Sequence, residues 1–533
     1  MSIPNLYPDR EPKEEGMLTD LNFLNIGEPW PPKIEKARLN RYQDNKYLWQ
    51  GHHDMVFNDW QRLLRADQLA VLEFVFALPK RLSTLWADLL LGEPPRIMAG
   101  EEGSEQQALV DQIVKDNELI TVAYEVMIDT SRYGDGLFKL RKEDGKVVIE
   151  GQPPALWYPV ASRDNVRIIT AHVLAWTFDV TTLDGHGRKT KTTYLRVEIH
   201  TKGQIENKVF TIEKGMHGKT IEKPVDLAEW APGRLPIEKT GIDDFLIIPV
   251  AGLRTTDEYH GMDDYSDLAT LLLEIETRFG QISRILDKHA DPSMFGDADA
   301  IEKDPNTGEV VFRAGGKFFP SVDGGTPPGY ITWDGQLVAA FTELEKLIEM
   351  FYLVSETSPA AFGQMNAGLA TSGSALRRLM MAPLAKVNRI RLRLDPSLKK
   401  LLTLAAELGG STPPESIDIH WRDGLPEDPS EQATIEGARK LAGNTSLYSS
   451  LRRLDGGTDS EIQDEIDRIH EDNASNAGTM GGLPNLKLRF GGANDGNSVD
   501  PTAAGQGGIP DIGSGNGGTP GQAPGARTPG TTG

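Results

Sequence analysis

Two runs of apolar residues with the same spacing flank a long insertion, and this arrangement constrains the fold more than any other feature of the chain. In the first run, apolar side chains alternate steps of four and three residues, at Leu268, Leu272, Ile275, Phe279, Ile282 and Leu286. The second run has the same alternation, at Leu337, Phe341, Leu344, Ile348 and Phe351. Such spacing places a narrow apolar stripe on one face of a helix. The sequence therefore predicts two helices that pair as an antiparallel hairpin, although ordinary core helices would show the same periodicity.

Apolar residues also lie off the predicted stripe, at Leu271, Leu273, Ile285 and Leu353. Because burying one such side chain is worth about 1.5–3 kcal/mol, a lone hairpin would leave favourable contacts unmade. Contacts with neighbouring copies of the chain would bury these side chains, so the pattern predicts a homo-oligomer. The insertion, with turn sequences such as DPNTG, is predicted to fold as a small separate tip with short strands around residues 310–313 and 329–333.

A glycine-containing loop and a basic helix follow the second run. Pro359, Gly363 and Gly368 interrupt the helical periodicity, and a new helix is predicted from Ser374 to Leu408. Between residues 371 and 406, eight lysines and arginines accompany a single acid. The candidates for contact with phosphate, or with acidic residues of a neighbouring subunit, are Arg377, Arg378, Lys386 and Arg389.

Two prolines interrupt the predicted basic helix in different ways. Pro383 lacks a backbone donor and clashes with the preceding turn, so a kink is expected near it. Asp395 followed by Pro396 has the pattern of an N-cap and a first-turn proline. This pair predicts that the helix restarts at Pro396.

The composition excludes several classes of site and activity. The chain has no cysteine, which rules out disulfides, thiolate zinc sites and cysteine nucleophiles. Neither the HExxH spacing of zinc peptidases nor the phosphate-binding loop GxxxxGK[ST] occurs. His52 and His53 beside Asp54 could begin a metal site, but a packing or surface role is favoured. We expect no metal, no cofactor and no catalytic residue, and the chain is not predicted to be an enzyme.

The formal net charge of −22 at pH 7 opposes tight binding of nucleic acid over the whole surface. The polar N-terminus does not resemble a signal peptide. The longest apolar run, residues 69–78, is too short to cross a bilayer and includes Glu73. No membrane association is expected.

The remaining segments predict an α+β protein. Residues 1–35 contain six prolines and predict an extended or partly disordered arm. Residues 36–253 begin with helical patterns and continue with alternating strands such as TYLRVEIHTKGQI. A further strand is predicted at 415–421 and helices at 422–473. Residues 474–533 are dominated by glycine, proline, asparagine and threonine, which predicts a disordered tail.

Several segments resemble, in the same order, segments of the portal proteins of tailed bacteriophages, most nearly the Gp6-like branch typified by siphophages. The resemblance covers residues 36–473. The segments are ADLLLGEPPRI, SRYGDGLFKL, YLRVEIHTKG, DDYSDLATLLLEIETRFGQISRILDKHADPSMFG, SETSPAAFGQMNAGLATSGSALRRLMMAPLAKVNRIR and GLPEDPSEQATIEGARKLAG, the last followed by DSEIQDEIDRIHED. Each segment is weakly specific alone, whereas six in the family's order are specific.

The resemblance implies a portal fold and assigns parts of the chain to it. The implied parts are an α/β wing at 36–253 with the strand at 415–421, stem helices at 254–290 and 336–356, a clip at 291–335, a tunnel loop and kinked tunnel helix at 357–408, and a helical crown at 422–473. It also implies a ring, dodecameric in the virion, at one capsid vertex. Double-stranded DNA would be packaged and later ejected through the ring, which would assemble in the host cytoplasm. The implied partners are the terminase large subunit, a head-completion adaptor at the clip, and major capsid and scaffolding proteins around the wing.

Under this resemblance, uncharged side chains of the tunnel loop are predicted to face DNA without sequence specificity, at Gln364, Met365, Asn366 and Leu369. The apolar stripes become the packing of the stem. Two other functions remain open. A different capsid-shell protein would form shells or sheets instead of small rings, and a metal-dependent DNA-processing enzyme would need a carboxylate site and activity without partners.

Overall fold

The computed structural model describes most of the chain between residues 16 and 479. The described ranges are 16–61, 74–101, 103–183, 189–215, 218–256, 258–290, 294–297, 301–303, 310–312, 318–321, 329–330, 337–364, 373–422, 429–454, 456–457 and 459–479. The chain divides into two compact units, residues 1–435 and residues 436–533, and each is described by itself.

The helices of the described residues are α1 (Lys36–Gln50), α2 (His53–Gln61), α3 (Leu78–Ala87), α4 (Glu105–Asp116), α5 (Leu119–Tyr133), α6 (Leu227–Trp230), α7 (Ala269–Ala290), α8 (Leu337–Val354), α9 (Gly373–Leu379), α10 (Met381–Gly409), α11 (Pro429–Leu441), α12 (Leu447–Leu454) and α13 (Asp459–Thr479). A π-helical turn, Asp88–Gly92, directly continues α3.

The strands of the described residues are β1 (Arg96–Ala99), β2 (Asp135–Glu143), β3 (Lys146–Gly151), β4 (Trp157–Ala161), β5 (Ile169–Leu183), β6 (Lys189–Thr201), β7 (Gln204–Gly215), β8 (Gly218–Pro224), β9 (Ile237–Lys239), β10 (Ile247–Ala251), β11 (Met294–Asp297), β12 (Ile301–Lys303), β13 (Val310–Phe312), β14 (Phe318–Ser321), β15 (Gly329–Tyr330) and β16 (Ile417–His420). Together with the helices they confirm a mixed helix and strand protein.

A large antiparallel sheet has the strand order β4-β5-β6-β7-β8, and β9 pairs with β7 on a separate path. The first half of β5 is buried on both faces, because Val173 packs into one apolar cluster and Leu174 into another. Its second half alternates between half-buried and exposed residues, as expected where one face meets water. The part of the sheet that is buried on both faces therefore includes β4, the first half of β5 and the second half of β6 that pairs with it.

Residues 16–35 pack against this sheet, so the prediction of a loose arm is wrong for them. Leu18, Phe23, Leu24 and Trp30 are buried in one cluster with the inner face of β5 and β6. The segment reaches both edges of the sheet, because it bonds to β4 near Leu18 and to β8 near Trp30. Its apolar residues have irregular spacing and gave no helix or strand signal. Residues 1–15 lie outside the described residues.

A second layer consists of the three-stranded sheet β10-β2-β3, against which α5 and α10 pack. Phe138, Ile248 and Leu401 are buried in its core. The short pair β1-β16 joins the segment before α4 to the strand after α10, and it confirms the strand predicted at 415–421. The Gln107 side chain accepts from the Ala99 backbone N–H at 2.7 Å and donates to the Ile97 carbonyl at 3.0 Å. The amide group thus satisfies backbone groups that a further strand would otherwise bind.

The two predicted helices pair as α7 and α8. Leu272, Ile275, Ile282, Leu344 and Phe351 are buried, and Phe279 and Ile348 pack partly buried against the same cluster. The first helix begins only at Ala269, so its predicted start at residue 254 is wrong and the buried Leu268 precedes the helix. In that stretch the backbone N–H groups of Tyr265 and Ser266 donate to Asp263, which forms a turn instead of a helix.

Two stripe residues are more exposed than the sequence predicts: Leu286 is 46% exposed and Phe341 is 45% exposed. Phe341 lies at the margin of its stripe, about 60° around the helix from Leu344. Exposure also increases toward the insertion, where Val338 is 80% exposed. The end of the hairpin farthest from the insertion packs into the main apolar core of the first unit. The side chains at the end near the insertion are less buried.

The insertion contains short strands in the described residues. β11 lies between β14 and β15, and β12 pairs with β13. These elements agree with the strands predicted around residues 310–313 and 329–333, although β15 is shorter than predicted.

The basic helix is interrupted at Met380, between α9 and α10, three residues before Pro383. Pro383 therefore lies in the first turn of α10, where a backbone donor would have no helical partner. The predicted restart at Pro396 is wrong, because α10 continues through that residue. Leu394 and Leu398, on either side of it, are buried in the core, and this packing outweighs the lost hydrogen bond.

In the second unit, the buried Glu436 of α11 binds α12. Its two carboxylate oxygens accept from Nε and Nη2 of Arg453, each at 2.8 Å, and Ser450 Oγ donates at 3.1 Å. Ile462 of α13 is also buried. Helix α13 ends at Thr479, so the predicted disordered tail is wrong for residues 474–479. Residues 480–533 lie outside the described residues.

A buried histidine couples the first unit to pH. His172 of β5 is 3% exposed, and its Nδ1 accepts from Trp157 Nε1 at 3.1 Å. Burial, with nearby His200 and Lys400, lowers the pKa of His172 from 6.5 to about 3. The neutral ring is therefore the form that the folded protein holds.

Acidification from pH 7 to pH 5 is expected to destabilise the protein through His172. Because the folded-state pKa lies below the unfolded value, the unfolded chain takes up the proton first. Stability present above about pH 6.5 is then lost as the pH falls toward 3, by about 2 kcal/mol at pH 5. Urea unfolding at several pH values measures the loss. The His172→Gln variant keeps an acceptor but does not titrate, so its curve should be flatter; an equal slope in both proteins would contradict the assignment.

Candidate functional site

A junction of four segments surrounds the start of the glycine-containing loop. The end of α8, the beginning of α10, the turn before α7 and the end of α3 enclose a cavity of about 190 Å3. Its lining includes Trp86, Asp264, Glu356, Lys386 and Arg389. The start of the loop and the beginning of α10 therefore meet at one charged cavity.

Helix α8 ends in a backbone motif that requires a left-handed residue. The Glu356 N–H donates to the Leu353 carbonyl at 3.2 Å, and the Thr357 N–H donates to the Tyr352 carbonyl at 2.9 Å. Glycine normally occupies the left-handed position of this motif, but here it is Glu356, with φ of 57°. A residue with a side chain costs about 1–2 kcal/mol at such a position. The cost indicates that the Glu356 carboxylate has a role.

That role is ion pairing with α10. The Glu356 carboxylate accepts a close hydrogen bond from Arg389 Nη2, and Lys386 Nζ lies 3.9 Å from it. Ser355, beside it, is buried and donates to the Phe351 carbonyl at 2.6 Å. The chain is thus tied to the basic helix directly before the loop begins.

Lys386 is the central cation of the junction. Its Nζ lies 2.7 Å from Asp264 Oδ1 and 4.5 Å from the centre of the Trp86 ring, and its side chain is 12% exposed. Asp264 Oδ2 accepts from Ser131 Oγ at 2.6 Å. A cation held by a carboxylate and an aromatic face at low exposure is fixed more firmly than a surface ion pair. Lys386 therefore links α10 to α3, α5 and the turn before α7.

Hydroxyl groups extend this connection into the body. Ser83 Oγ lies 2.9 Å from Ser131 Oγ and 2.6 Å from the Tyr265 hydroxyl, and Tyr265 donates to the Pro79 carbonyl at 2.8 Å. Burial raises the pKa of the neighbouring Asp263 carboxyl, while Arg41 and local hydrogen bonds oppose that shift. Polar groups at this depth require partners, and the network supplies them.

The sequence singled out the cations of this site but missed their partners. Lys386 and Arg389 were candidates for phosphate or for acids of a neighbouring subunit, whereas in the structure they bind acids of their own chain. Arg377 and Arg378 are exposed on α9. Further partners for these four residues remain a prediction. The acidic pair at 263–264 and the sequence Ser-Glu-Thr at 355–357 were the available signals for the missed residues.

The predicted loop residues are only partly described. Gln364 is exposed; its backbone N–H donates to the Pro359 carbonyl at 2.9 Å, and its Oε1 accepts from the Tyr352 hydroxyl at 3.3 Å. Met365, Asn366 and Leu369 lie outside the described residues.

Within the described residues, His, Asp and Glu form no cluster of three that could hold a metal ion. His53, which begins α2, instead pairs with Glu276. No helix in the described part of the chain has the length and apolar character needed to cross a membrane.

Comparisons with known proteins give a family and remote structural relatives. The family described as phage portal protein, SPP1 Gp6-like, matches residues 32–479. A chain in the neck of the empty gene transfer agent particle, computed with C6 symmetry, is 13% identical with a TM-score of 0.43, covering 81% of this chain and 96% of its own. A chain of the virion of the native gene transfer agent particle is 14% identical with a TM-score of 0.41, with the same two coverages.

No curated protein matches the sequence. The family match alone spans most of the chain and includes the hairpin, the insertion, the loop and the basic helix. The chain therefore belongs to the SPP1 Gp6-like family of phage portal proteins.

Proposed function

We propose that this portal protein forms a closed ring, dodecameric in the virion, at one capsid vertex, and that double-stranded DNA is packaged and ejected through its centre. Family membership supports the proposal. The observation that carries it is the junction, because Glu356, at the start of the glycine-containing loop that the family resemblance places in the tunnel, pairs with Lys386 and Arg389 of α10. A loop held at its start suits contact with a moving duplex.

The parts of the portal fold are assigned on the same basis. The α7–α8 hairpin is the stem, and its apolar seam is the stem packing. The insertion is the clip, α9 and α10 form the tunnel helix, and the helices from α11 to α13 belong to the crown. Residues 36–253 with β16 form the wing. These assignments rest on element order and on the bounds reported above.

The charge of the chain suits passage of DNA instead of capture. Net charge is −22 per chain, and exposed charges act only over about 8 Å at physiological salt. An uncharged constriction offers phosphates no cation to bind, so the duplex can slide. The uncharged residues Gln364, Met365, Asn366 and Leu369 would form the constriction. Because the sequence contains no GxxxxGK[ST] loop, the energy for packaging is assigned to the terminase.

The partners follow from this placement. The terminase large subunit would drive packaging, and a head-completion adaptor would dock at the clip. Major capsid and scaffolding proteins would surround the wing at the portal vertex, after assembly in the host cytoplasm.

Deleting residues 364–368 is expected to leave ring assembly intact and to reduce packaged or retained DNA by an order of magnitude. The deletion removes the proposed DNA contact but none of the ion pairs at the base of the loop. Native mass spectrometry with negative-stain imaging measures the rings, and nuclease-protected DNA in assembled heads measures packaging.

A deletion of equal length in the tail, residues 514–518, is the control and should package normally. Full heads from the loop deletion would contradict the DNA-facing role. A wild-type protein that never forms a ring with a central hole, even with capsid and scaffolding proteins, would refute the portal assembly itself.

A further inference from the structure

Three arginines from distant parts of the chain lie around the loop that follows β10. Arg393 Nη2 of α10 donates to the Arg254 carbonyl at 3.3 Å, and Arg254 Nη1 donates to the Tyr259 carbonyl at 3.2 Å. Arg167, from the connection between β4 and β5, donates through Nη2 to the Thr255 carbonyl at 3.3 Å. Arg167, Arg254 and Arg393 are called the arginine cluster below.

The arginine cluster has no counter-charge in the described part of the chain. Each of its guanidinium groups donates to a backbone carbonyl, and none forms an ion pair with a described carboxylate. Lys400 of the same α10, by contrast, is paired with Asp244 at 2.8 Å. Burial and the charges of Arg254 and Arg167 lower the pKa of Arg393. Neighbouring like charges destabilise one another, so the cluster indicates a binding site for an anion.

A cavity of about 300 Å3 opens beside two members of the cluster. Arg254 and Arg393 line it together with the Trp157 and Tyr259 rings. The Arg254 guanidinium lies 5.4 Å from the centre of the Tyr259 ring, which helps to hold it in place. Asp135 also lines the cavity, but other side chains and a backbone N–H already bind its oxygens. The planar donors of the two arginines match the geometry of an added carboxylate.

The described chain begins next to the arginine cluster. Gly16 lines a second cavity, of about 370 Å3, which it shares with Val166 and Tyr259. Val166 directly precedes Arg167, and Tyr259 is the residue that binds Arg254. Because each extended residue spans about 3.3 Å, the few residues before Gly16 are long enough to reach the cluster.

The arginines of the second cavity already have acidic partners. Arg38 Nε lies 2.6 Å from Glu35, and Arg41 Nε lies 3.5 Å from Asp263. Acids that arrive at this point of the surface therefore find their unmatched cations in the arginine cluster.

The residues before Gly16 carry the complementary charge. In the sequence DREPKEE, residues 9–15, four acids accompany two cations, and four minus two gives a net charge of −2. Glu14 and Glu15 directly precede Gly16. The acids are thus concentrated where the described chain begins.

We propose that the carboxylates of residues 9–15, Glu14 and Glu15 above all, bind the arginine cluster of their own chain. The contact extends the packing of residues 16–35 on the large sheet. It also ties the start of the chain to α10, because Arg393 belongs to that helix. This inference goes beyond the proposed function and requires neither a ring nor DNA.

Trypsin tests the contact without any change to the segment itself. The full-length wild type should be cut slowly after Arg10 and Lys13, whereas Arg167→Gln and Arg254→Gln should each speed this cleavage about tenfold. Arg167 is exposed, so its variant should fold normally and decides the test even if Arg254→Gln does not fold. Arg378→Gln, at an exposed arginine of α9, is the matched control and should be cut like the wild type. Equal rates in all these proteins would overturn the proposal.

A zero-length cross-link identifies the bound carboxylates. Arg254→Lys retains the charge and adds an amine, which a carbodiimide joins to a carboxylate in contact with it. Arginine does not react in this way, so the wild type is the control. Peptide mass spectrometry should find the new amine joined to residues 9–15. Adding Glu14→Gln and Glu15→Gln to this variant should reduce the linked product about tenfold.

Other linked products would overturn the proposal. A link only to Glu258, or to Asp257, which lies outside the described residues, would identify a local counter-ion instead. Mixing isotopically labelled and unlabelled chains shows whether both linked peptides come from one chain. Links only between chains would assign the cluster to a neighbouring copy. A wild type that forms no ring but shows the expected link would refute the proposed function and support this contact.

Discussion

A chain that lacks residues 16–32 is expected to be insoluble. This segment buries Leu18, Phe23, Leu24 and Trp30 on the large sheet. At about 1.5–3 kcal/mol each, these four side chains contribute roughly 6–12 kcal/mol, which is comparable to the entire stability of a typical domain. Their loss leaves a broad apolar face in water and removes the margin of stability.

The segment also satisfies the edges of the sheet. The Ala161 N–H of β4 donates to the Leu18 carbonyl at 2.8 Å, and the Ile221 N–H of β8 donates to the Glu28 carbonyl at 3.0 Å. The Trp30 N–H donates to the Lys219 carbonyl at 2.9 Å. Sheet edges without such partners pair with other chains, so aggregation is the expected fate of the truncated protein.

A point substitution gives the same test with a measurable free energy. Trp30 is 7% exposed, and Trp30→Ala should lower the free energy of unfolding by about 3–5 kcal/mol. Ile26→Ala is the control in the same segment, because Ile26 is 63% exposed and should change stability by less than about 0.5 kcal/mol. Urea unfolding followed by fluorescence measures both. Soluble, cooperatively folding protein after removal of 16–32 would show that the sheet does not depend on this cover.

The packing of residues 16–32 on the sheet could not be predicted from the sequence. The apolar residues of this segment follow neither a period of two nor one of 3.6, so only contact with the distant sheet reveals their role. The α7–α8 hairpin was predicted because its spacing is local and regular. Its first boundary was wrong because the side chain of Asp263 bonds nearby backbone groups and forms a turn, which competes with helix formation.

The candidate site also contains some residues that the sequence predicted and others that it did not. A run of cations in α10 is visible in any reading of the sequence, and Lys386 and Arg389 were singled out by it. Their partners were not, because Asp264 lies 122 residues from Lys386 along the chain and Glu356 occupies a left-handed position that usually predicts glycine. Long-range pairing and an unusual backbone conformation are properties of the fold, and neither leaves a periodic signal.

Substituting His53 is the second change with a large expected effect. His53 and Glu276 are both 0% exposed, and Nδ1 of the histidine lies 2.7 Å from Oε1 of the glutamate. Nε2 lies 3.1 Å from the Leu48 carbonyl oxygen. Glu276 Oε1 also accepts from the Phe76 N–H at 3.0 Å, while Oε2 is buried without a hydrogen-bond partner among the described residues. In the described part of the chain, His53 and the Phe76 N–H are therefore the hydrogen-bonding partners of this buried carboxyl group.

His53→Leu is expected to lower the free energy of unfolding by about 3 kcal/mol, because it removes a hydrogen-bonding partner of a buried polar group. The double variant His53→Leu/Glu276→Met replaces both polar side chains with apolar atoms, so it should recover most of that loss. Urea unfolding of the wild type, the two single variants and the double variant completes the cycle. If the two single losses simply added in the double variant, the histidine would contribute through packing alone. Because Glu276 belongs to α7 and His53 to α2, strong coupling in this cycle would mean that one buried hydrogen-bonded pair attaches the hairpin to the body of the protein.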